Sequence, residues 1–147
     1  MLKLSKKIDY GLIAINYMAS HDHEFIANTK HIAEEYKIPV ELLAKVLQRL
    51  AKKGLVHSQS GPKGGYTLAK APNHITVADV VEAIEGPIRI ADCYKFYHCL
   101  QMDRCSIRTP IEKIQASIIQ LLGSMTMAQL SHSDMINEPL TQEGVKP

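Results

Sequence analysis

Tryptophan is absent from this sequence of 147 residues, and phenylalanine occurs only twice. A core of this composition must rely mainly on Leu, Ile, Val and Ala. No apolar run approaches the roughly 18–20 residues that a membrane-spanning helix needs, and the N-terminus lacks the apolar region of a secretory signal. We therefore expect no membrane partner and a cytoplasmic protein, of a size that fits one compact domain with an appended helix.

Cysteine is scarce and concentrated in one stretch. Cys93, Cys99 and Cys105 are the three cysteines, each separated from the next by five residues. An odd number of thiols in a reducing compartment argues against a disulfide framework and favours metal or redox chemistry. The closer spacing typical of zinc sites is missing. From the residues alone, the three cysteines could bind an iron–sulfur cluster, act as redox-active thiols, bind zinc, or have no function.

Signatures of an enzyme are also missing. There is no Cys-x-x-Cys pair, and no Cys/His/Asp arrangement falls on recognisable elements. The glycine-rich stretch 61–65 lacks the Gly-Lys-Ser/Thr ending of a phosphate-binding loop and leads into a strand. We expect a protein that is not an enzyme.

Charge is divided unevenly along the chain. Residues 1–71 carry eleven Lys/Arg against six Asp/Glu, whereas residues 72–147 carry six against nine. A basic N-terminal half suits contact with nucleic acid, although an ordinary solvated surface has the same composition.

A helix-turn-helix pattern lies in the basic half. Apolar residues at helical spacing predict a first helix over residues 4–20, capped by Ser5. A short helix over 28–36, with Asn28 as N-cap, is followed by a break at Pro39 and a second helix over about 40–53, which Gly54 ends. That last helix has an inward apolar face of Leu43, Val46, Leu47 and Leu50. Its outward face consists of Glu41, Ala44, Lys45, Gln48, Arg49 and Lys52.

A β-hairpin follows directly. Strands over 55–59 and 66–69 flank the turn 60–65, which contains three glycines and one proline. A hairpin at this position is typical of the wing of a winged helix, with Lys63 able to meet phosphate. A solvent-exposed hairpin without function is the alternative.

Two further helices have clear start signals. Thr76 and Asp79 form a capping-box pattern for a helix over 76–84, ended by Gly86. Thr109 as N-cap, Pro110 at the first position and Glu112 at the third begin the next helix. Its apolar residues are spaced 3, 4, 3, 4, which predicts a dimerisation seam or packing onto its own domain: Ile111, Ile114, Ile118, Leu121 and Met125. A short last turn covers 126–130.

This order of parts resembles the Rrf2 family of bacterial winged-helix regulators, which includes iron–sulfur-sensing and nitric-oxide-sensing members. The resemblance covers about residues 1–130. The segments that carry it are 4–10, 32–34, 54–56, 61–69 (Gly-Pro-Lys-Gly-Gly-Tyr-Thr-Leu-Ala), 77–87 and the three cysteines. The opening residues 1–10 look most like the subgroup that regulates SUF-type iron–sulfur cluster assembly.

The resemblance implies a homodimer whose three cysteines bind an iron–sulfur cluster, of the 2Fe–2S or 4Fe–4S type. Some relatives supply a fourth ligand as a His three residues after the last cysteine, where this chain has Arg108, which cannot ligate. Others use an acidic residue of the first helix of the partner subunit, a position that Asp9 matches. His98 and Asp103 are local candidates, and we favour Asp9.

The resemblance also implies the DNA contacts. Base edges would be met by Glu41, Ala44 and Lys45, although some relatives carry Glu in place of Ala44. Ser60 replaces an Arg common in relatives, so Lys63 would take over the contact to phosphate or the minor groove. The complete set of candidate DNA-binding residues is Asn28, Thr29, Glu41, Ala44, Lys45, Gln48, Arg49, Ser60 and Lys63.

The resulting expectation is a mainly α protein with a winged helix-turn-helix, a two-stranded wing and a long C-terminal dimerisation helix. The predicted units are a DNA-binding domain (1–72), a helix with the cysteine loop (73–106), a dimerisation helix (107–130) and a flexible tail (131–147). The expected function is a cluster-sensing repressor of iron–sulfur cluster assembly genes that binds palindromic double-stranded DNA. A nitric-oxide-sensing or thiol-redox-sensing regulator of the same fold is the alternative.

Overall fold

The computed structural model describes residues 3–91, Cys93 and residues 99–131. Within these residues the chain is mainly helical with one two-stranded antiparallel sheet, which confirms the predicted fold class. The helices are α1 (Lys6–Ala19), α2 (Thr29–Glu35), α3 (Val40–Lys52), α4 (Val77–Glu85), α5 (Arg108–Ser124) and α6 (Met127–Ser131). The strands are β1 (Val56–Gln59) and β2 (Gly65–Leu68), and a 3₁₀ turn at Pro72–His74 precedes α4. The predicted tail lies outside the described residues beyond 131.

The core is aliphatic, as the composition predicted. Its largest fully buried side chains include Ile15, Ile32, Leu43, Leu47 and Leu50. Helix α1 packs against α3, α4 and α6, so α4 shares one core with the helix-turn-helix. Gly11 allows the close approach of α1 to α4, because a Cβ atom there would collide with Cδ1 of Ile84.

Two predicted helix signals are present in full. The Thr76 hydroxyl accepts a hydrogen bond from the Asp79 amide at 3.1 Å, and the Asp79 carboxylate accepts one from the Thr76 amide at 2.9 Å. At the end of α3 the capping residue is Lys53, one position before the expected Gly54, and Gly54 follows it with φ +75°. The Leu55 amide donates to the Leu50 carbonyl, which satisfies a carbonyl that the helix end leaves unpaired.

The predicted start of α5 is wrong. Ile107 is the N-cap and Thr109 lies inside the helix, without a side-chain cap. The carboxylate of Glu112 accepts a hydrogen bond from Arg108 Nε at 3.2 Å. Pro110 is tolerated one turn in, because the first four amides of a helix have no partner within it.

The end of the described chain returns to the core. The Met127 amide donates to the Ile75 carbonyl at 2.8 Å, and the Met127 side chain is fully buried. Thr126 and Gln129 cap α6 reciprocally, through bonds of 3.2 and 2.9 Å. The Thr-x-x-Gln spacing is a capping-box signature that was readable in the sequence.

Candidate nucleic-acid interface and cysteine site

The helix-turn-helix is fixed by local hydrogen bonds and one buried side chain. The Asn28 side chain accepts from the His31 amide at 3.1 Å, which confirms it as the N-cap of α2. In the turn, Lys37 has φ +54°, and the Ile38 amide donates to the Ala33 carbonyl at 2.9 Å. Ile38 is buried, so the turn that separates α2 from α3 is anchored to the core.

Helix α3 is strongly two-sided. The four apolar residues predicted to face inward are all buried: Leu43, Val46, Leu47 and Leu50. Of the predicted DNA contacts, Glu41, Lys45 and Gln48 are exposed and Ala44 is half-buried, and helical geometry places these four on one face. This face combines a carboxylate, a cation and an amide, groups able to pair with base edges or phosphate.

Arg49 differs from the other predicted contacts on α3. Its Nη1 donates a 2.7 Å hydrogen bond to the main-chain carbonyl of Ile84, near the end of α4. The two residues are 35 positions apart, so no local sequence pattern announced this contact.

The wing is a short, regular hairpin. Strand β1 pairs with β2 from Val56 opposite Leu68 to Gln59 opposite Gly65. The turn exposes Ser60 and Lys63. Gly61 has φ +109°, and a Cβ on Gly64 would collide with the carbonyl of Gln59, so the tip requires both glycines.

A third segment, which the sequence analysis missed, joins the hairpin. Ala27 and Tyr66 exchange hydrogen bonds of 2.8 and 2.9 Å between their main chains, on the free side of β2. Gly65 is required next to this bridge, because a Cβ would strike the Ala27 carbonyl. The bridge brings the start of α2, with Asn28 and Thr29, beside the tip end of β2, because Tyr66 is the second residue of that strand after the turn. The predicted DNA-binding residues, which come from α2, α3 and the wing, therefore lie on neighbouring elements.

An aromatic cluster supports the other end of α2. The buried ring of Tyr17 lies 6.2 Å from that of Tyr36, edge to face. Burial raises the pKa of the Tyr17 hydroxyl above its usual value, and the nearby Glu35 carboxylate and Tyr36 raise it further. The hydroxyl therefore stays neutral in the folded protein to a higher pH than in the unfolded chain.

The cysteines follow α4 and form no disulfide. Cys93, Cys99 and Cys105 are free and half-exposed, and Sγ of Cys99 donates to Oε1 of Gln101 at 3.4 Å. Among residues 3–91, Cys93 and 99–131, no three His, Cys, Asp or Glu side chains come close enough together to hold a metal ion. The single chain thus does not gather the predicted ligands into one site. Asp103 is exposed, and His98 lies outside the described residues.

Asp9 lies far from the cysteines in sequence, in the first turns of α1. Its carboxylate is 3.7 Å from the Lys6 ammonium, and its side chain keeps 43% of its surface exposed. A surface ion pair of this length contributes little to stability. The carboxylate is therefore accessible to another molecule.

The long helix α5 divides its apolar residues between two surfaces. Ile111, Ile118, Leu122 and the C-cap residue Met125 are half-buried, and Leu122 and Met125 pack against the core. Ile107, Ile114 and Leu121 recur every seven residues and expose 61%, 48% and 51% of their surface. One face therefore packs on its own domain while an apolar stripe lies open, so the five residues predicted to form one seam are divided between the two. Its role in dimerisation stays a prediction.

A helix-turn-helix with a polar outer face, followed by a hairpin, defines a winged-helix transcriptional regulator, a class that binds DNA. Comparison with known proteins agrees. The sequence profile of the Rrf2 family, described as an iron-dependent transcriptional regulator, matches residues 4–133. The chain belongs to the Rrf2 family.

Individual relatives cover most of the chain. The regulator NsrR of Bacillus licheniformis is 28% identical over 131 residues, which is 88% of this chain and 92% of the relative. Among solved structures, T. potens IscR is 31% identical with a TM-score of 0.70, covering 94% of this chain and 93% of that one. CymR, the global cysteine regulator of B. subtilis, is 29% identical with a TM-score of 0.71, covering 89% and 97%. Within the part of the chain that the structure describes, no helix is long and apolar enough to span a bilayer.

Proposed function

We propose that this protein senses an iron–sulfur cluster and represses iron–sulfur cluster assembly genes, binding palindromic double-stranded DNA as a homodimer. The observation that carries the proposal is the set of three free, half-exposed thiols that follows α4 in a family described as iron-dependent. Thiolates are the usual protein ligands of iron–sulfur clusters. The donor set therefore fits such a group, of the 2Fe–2S or 4Fe–4S type.

Cys93, Cys99 and Cys105 would hold the cluster. The cluster would act as the sensing group, because its state changes with iron supply, oxygen or nitric oxide. Asp9 of the partner subunit would complete the ligand set. The accessible carboxylate of Asp9 supports this choice. A ligand from the partner would couple cluster binding to the dimer.

The DNA-reading surface would consist of the exposed face of α3, the start of α2 and the wing tip. Glu41, Ala44, Lys45 and Gln48 would enter the major groove, while Lys63 and Ser60 would contact phosphate or the minor groove. Asn28 and Thr29 would fix the register through phosphate contacts. The dimer would present two such surfaces to successive grooves of one palindrome.

The cluster is tested by anaerobic reconstitution with iron and sulfide. We expect visible sulfur-to-iron absorption, with iron and sulfide in stoichiometric amounts, and its loss in Cys93→Ala but not in the neighbouring control Ser106→Ala. A colourless protein that forms disulfides on mild oxidation would instead support the thiol-redox alternative. Rapid bleaching by nitric oxide, with little response to iron supply, would support the nitric-oxide alternative.

The fourth ligand is tested with paired variants and a mixed dimer. Asp9→Asn should destabilise the cluster, whereas Asp103→Asn should not. A mixed dimer of Asp9→Asn with a subunit lacking all three cysteines contains a complete site only if Asp9 acts across the interface. Recovery of one stable cluster per mixed dimer supports the proposal, and no recovery places the fourth ligand within the same chain.

A further inference from the structure

The C-terminal end of α4 is a meeting point of the DNA-reading helix, the first helix and the cysteine segment. Arg49 Nη1 of α3 donates to the Ile84 carbonyl at 2.7 Å. One residue on, the Glu85 carboxylate accepts a 2.6 Å hydrogen bond from the Ser5 hydroxyl, at the start of α1. Gly86, with φ +84°, then turns the chain toward the cysteines.

The hydrogen bond from Arg49 to the Ile84 carbonyl is short and has a charged donor. The last carbonyls of a helix have no partner within it and form the negative end of the helix dipole. Ile84 is buried and Arg49 is exposed, so the bond is part-buried: the carbonyl is shielded while the guanidinium borders solvent. Arg49 therefore fixes the end of α3 to the end of α4.

The segment that leaves this meeting point is tied to α5 and borders an open groove. The Ile90 amide donates to the Gln115 side chain of α5 at 3.2 Å, which ties the approach to Cys93 to the long helix. A cavity of about 580 Å³ lies under the segment, lined mainly by apolar side chains that include Leu4, Val81, Ile88, Ile118 and Leu122. A segment that borders an open cavity can shift without displacing a packed core.

We propose that Arg49 is a positioning residue that couples the cysteine segment to the DNA-reading face of α3, and that it makes no phosphate contact of its own. This rests on the proposed function, in which cysteine occupancy controls DNA affinity. A shift of residues 84–90 would move the Ile84 carbonyl, and Arg49 would transmit that shift to the helix that carries Glu41, Lys45 and Gln48.

The experiment measures DNA affinity over a range of salt concentrations, for cluster-loaded and cluster-free protein. The probe is a duplex selected from a randomised pool by the wild-type protein. Arg49→Met removes the donor and keeps an unbranched apolar chain, Arg49→Lys keeps a donor, and Lys45→Met is the matched control on the same helix. Far-UV circular dichroism and thermal melts establish that each variant is folded.

For wild type, the two affinities should differ by about 5- to 150-fold, the range of typical coupling between sites. In Arg49→Met this ratio should fall toward one while the salt slope stays that of wild type, and Arg49→Lys should recover part of the ratio. Lys45→Met should weaken binding to the selected duplex in both states and keep the ratio, because it removes a base contact and not the coupling.

Two results overturn the inference. A salt slope lowered by about one in Arg49→Met, with the ratio intact, would make Arg49 a phosphate contact. A ratio that persists in every folded Arg49 variant would remove its coupling role. If wild type itself shows no ratio, the proposed sensing function fails and the coupling falls with it, an outcome distinct from the other two. If Arg49→Met does not fold, Arg49→Lys decides. A lower ratio of the two affinities with an unchanged salt slope supports coupling, whereas a fall in both the ratio and the salt slope contradicts a role in coupling alone.

Discussion

In the proposed homodimer we expect the partner subunit to cover the open stripe on α5, which gives a quantitative prediction about assembly. Fully burying an Ile or Leu side chain contributes about 1.5–3 kcal/mol. Since Ile107, Ile114 and Leu121 each keep roughly half of their surface exposed in one chain, covering each should contribute about 1 kcal/mol. Ile114→Ala would then cost about 2 kcal/mol over the two subunits, which weakens the dimer by roughly 30-fold.

A stronger perturbation and its control lie on the same helix. Ile114→Glu would place a carboxylate from each subunit in the apolar contact, where desolvation and mutual repulsion oppose association. Ala116 is exposed and lies on the opposite side of α5, so Ala116→Glu should leave the dimer intact. Sedimentation equilibrium over a concentration series measures the dissociation constants, and circular dichroism checks that the helix is retained. An unchanged dimer in Ile114→Glu, or a monomeric wild type, would refute the reasoning.

Three further predictions concern stability and DNA binding. Lys37→Gly should raise the unfolding free energy by about 0.5–1 kcal/mol, because φ +54° disfavours a side chain, whereas Lys52→Gly within α3 should lower it by a similar amount; urea denaturation giving the same sign for both would contradict this. Burial holds the Tyr17 pKa above its unfolded value near 10, so the stability due to its neutral hydroxyl is complete below that pH and is lost above it. Tyr17→Phe should therefore show a shallower alkaline loss of stability, and an identical pH profile would show that this hydroxyl is not responsible. Lys63→Ala should weaken binding to all DNA sequences alike and lower the salt slope by about one, and a change confined to one sequence would instead indicate base recognition.

The sequence predicted most of the elements, because their signals are local. The Thr76–Asp79 capping box, the Asn28 cap and the apolar face of α3 all appear where their spacing placed them. The glycine-rich hairpin did so as well, because its turn needs conformations that few other residues adopt.

Features that depend on distant partners were not predictable. Ser5 precedes α1 as expected, but its hydroxyl binds Glu85, 80 residues away, and caps nothing. Regular apolar spacing could not reveal that α5 buries one face against α4 and leaves its stripe open, because that depends on where α4 lies.

The candidate site divides in the same way. Sequence reasoning selected exposed residues on α3 and the wing tip, and the Ala27–Tyr66 bridge that draws the start of α2 toward the wing emerged only in three dimensions. The contact of Arg49 with α4 was also invisible in the sequence. Ligands from two chains, as proposed for the cysteines and Asp9, leave no local pattern that could identify them.

The measurement that tests the central claim most directly is the affinity of anaerobically loaded protein and of Cys93→Ala for one selected duplex, at one salt concentration. If the thiols form a sensor, the two affinities should differ by about 5-fold or more, and the Ser106→Ala control should follow wild type. Equal affinities, with the cluster verified in one sample and absent from the other, would show that the cysteine segment does not control DNA binding.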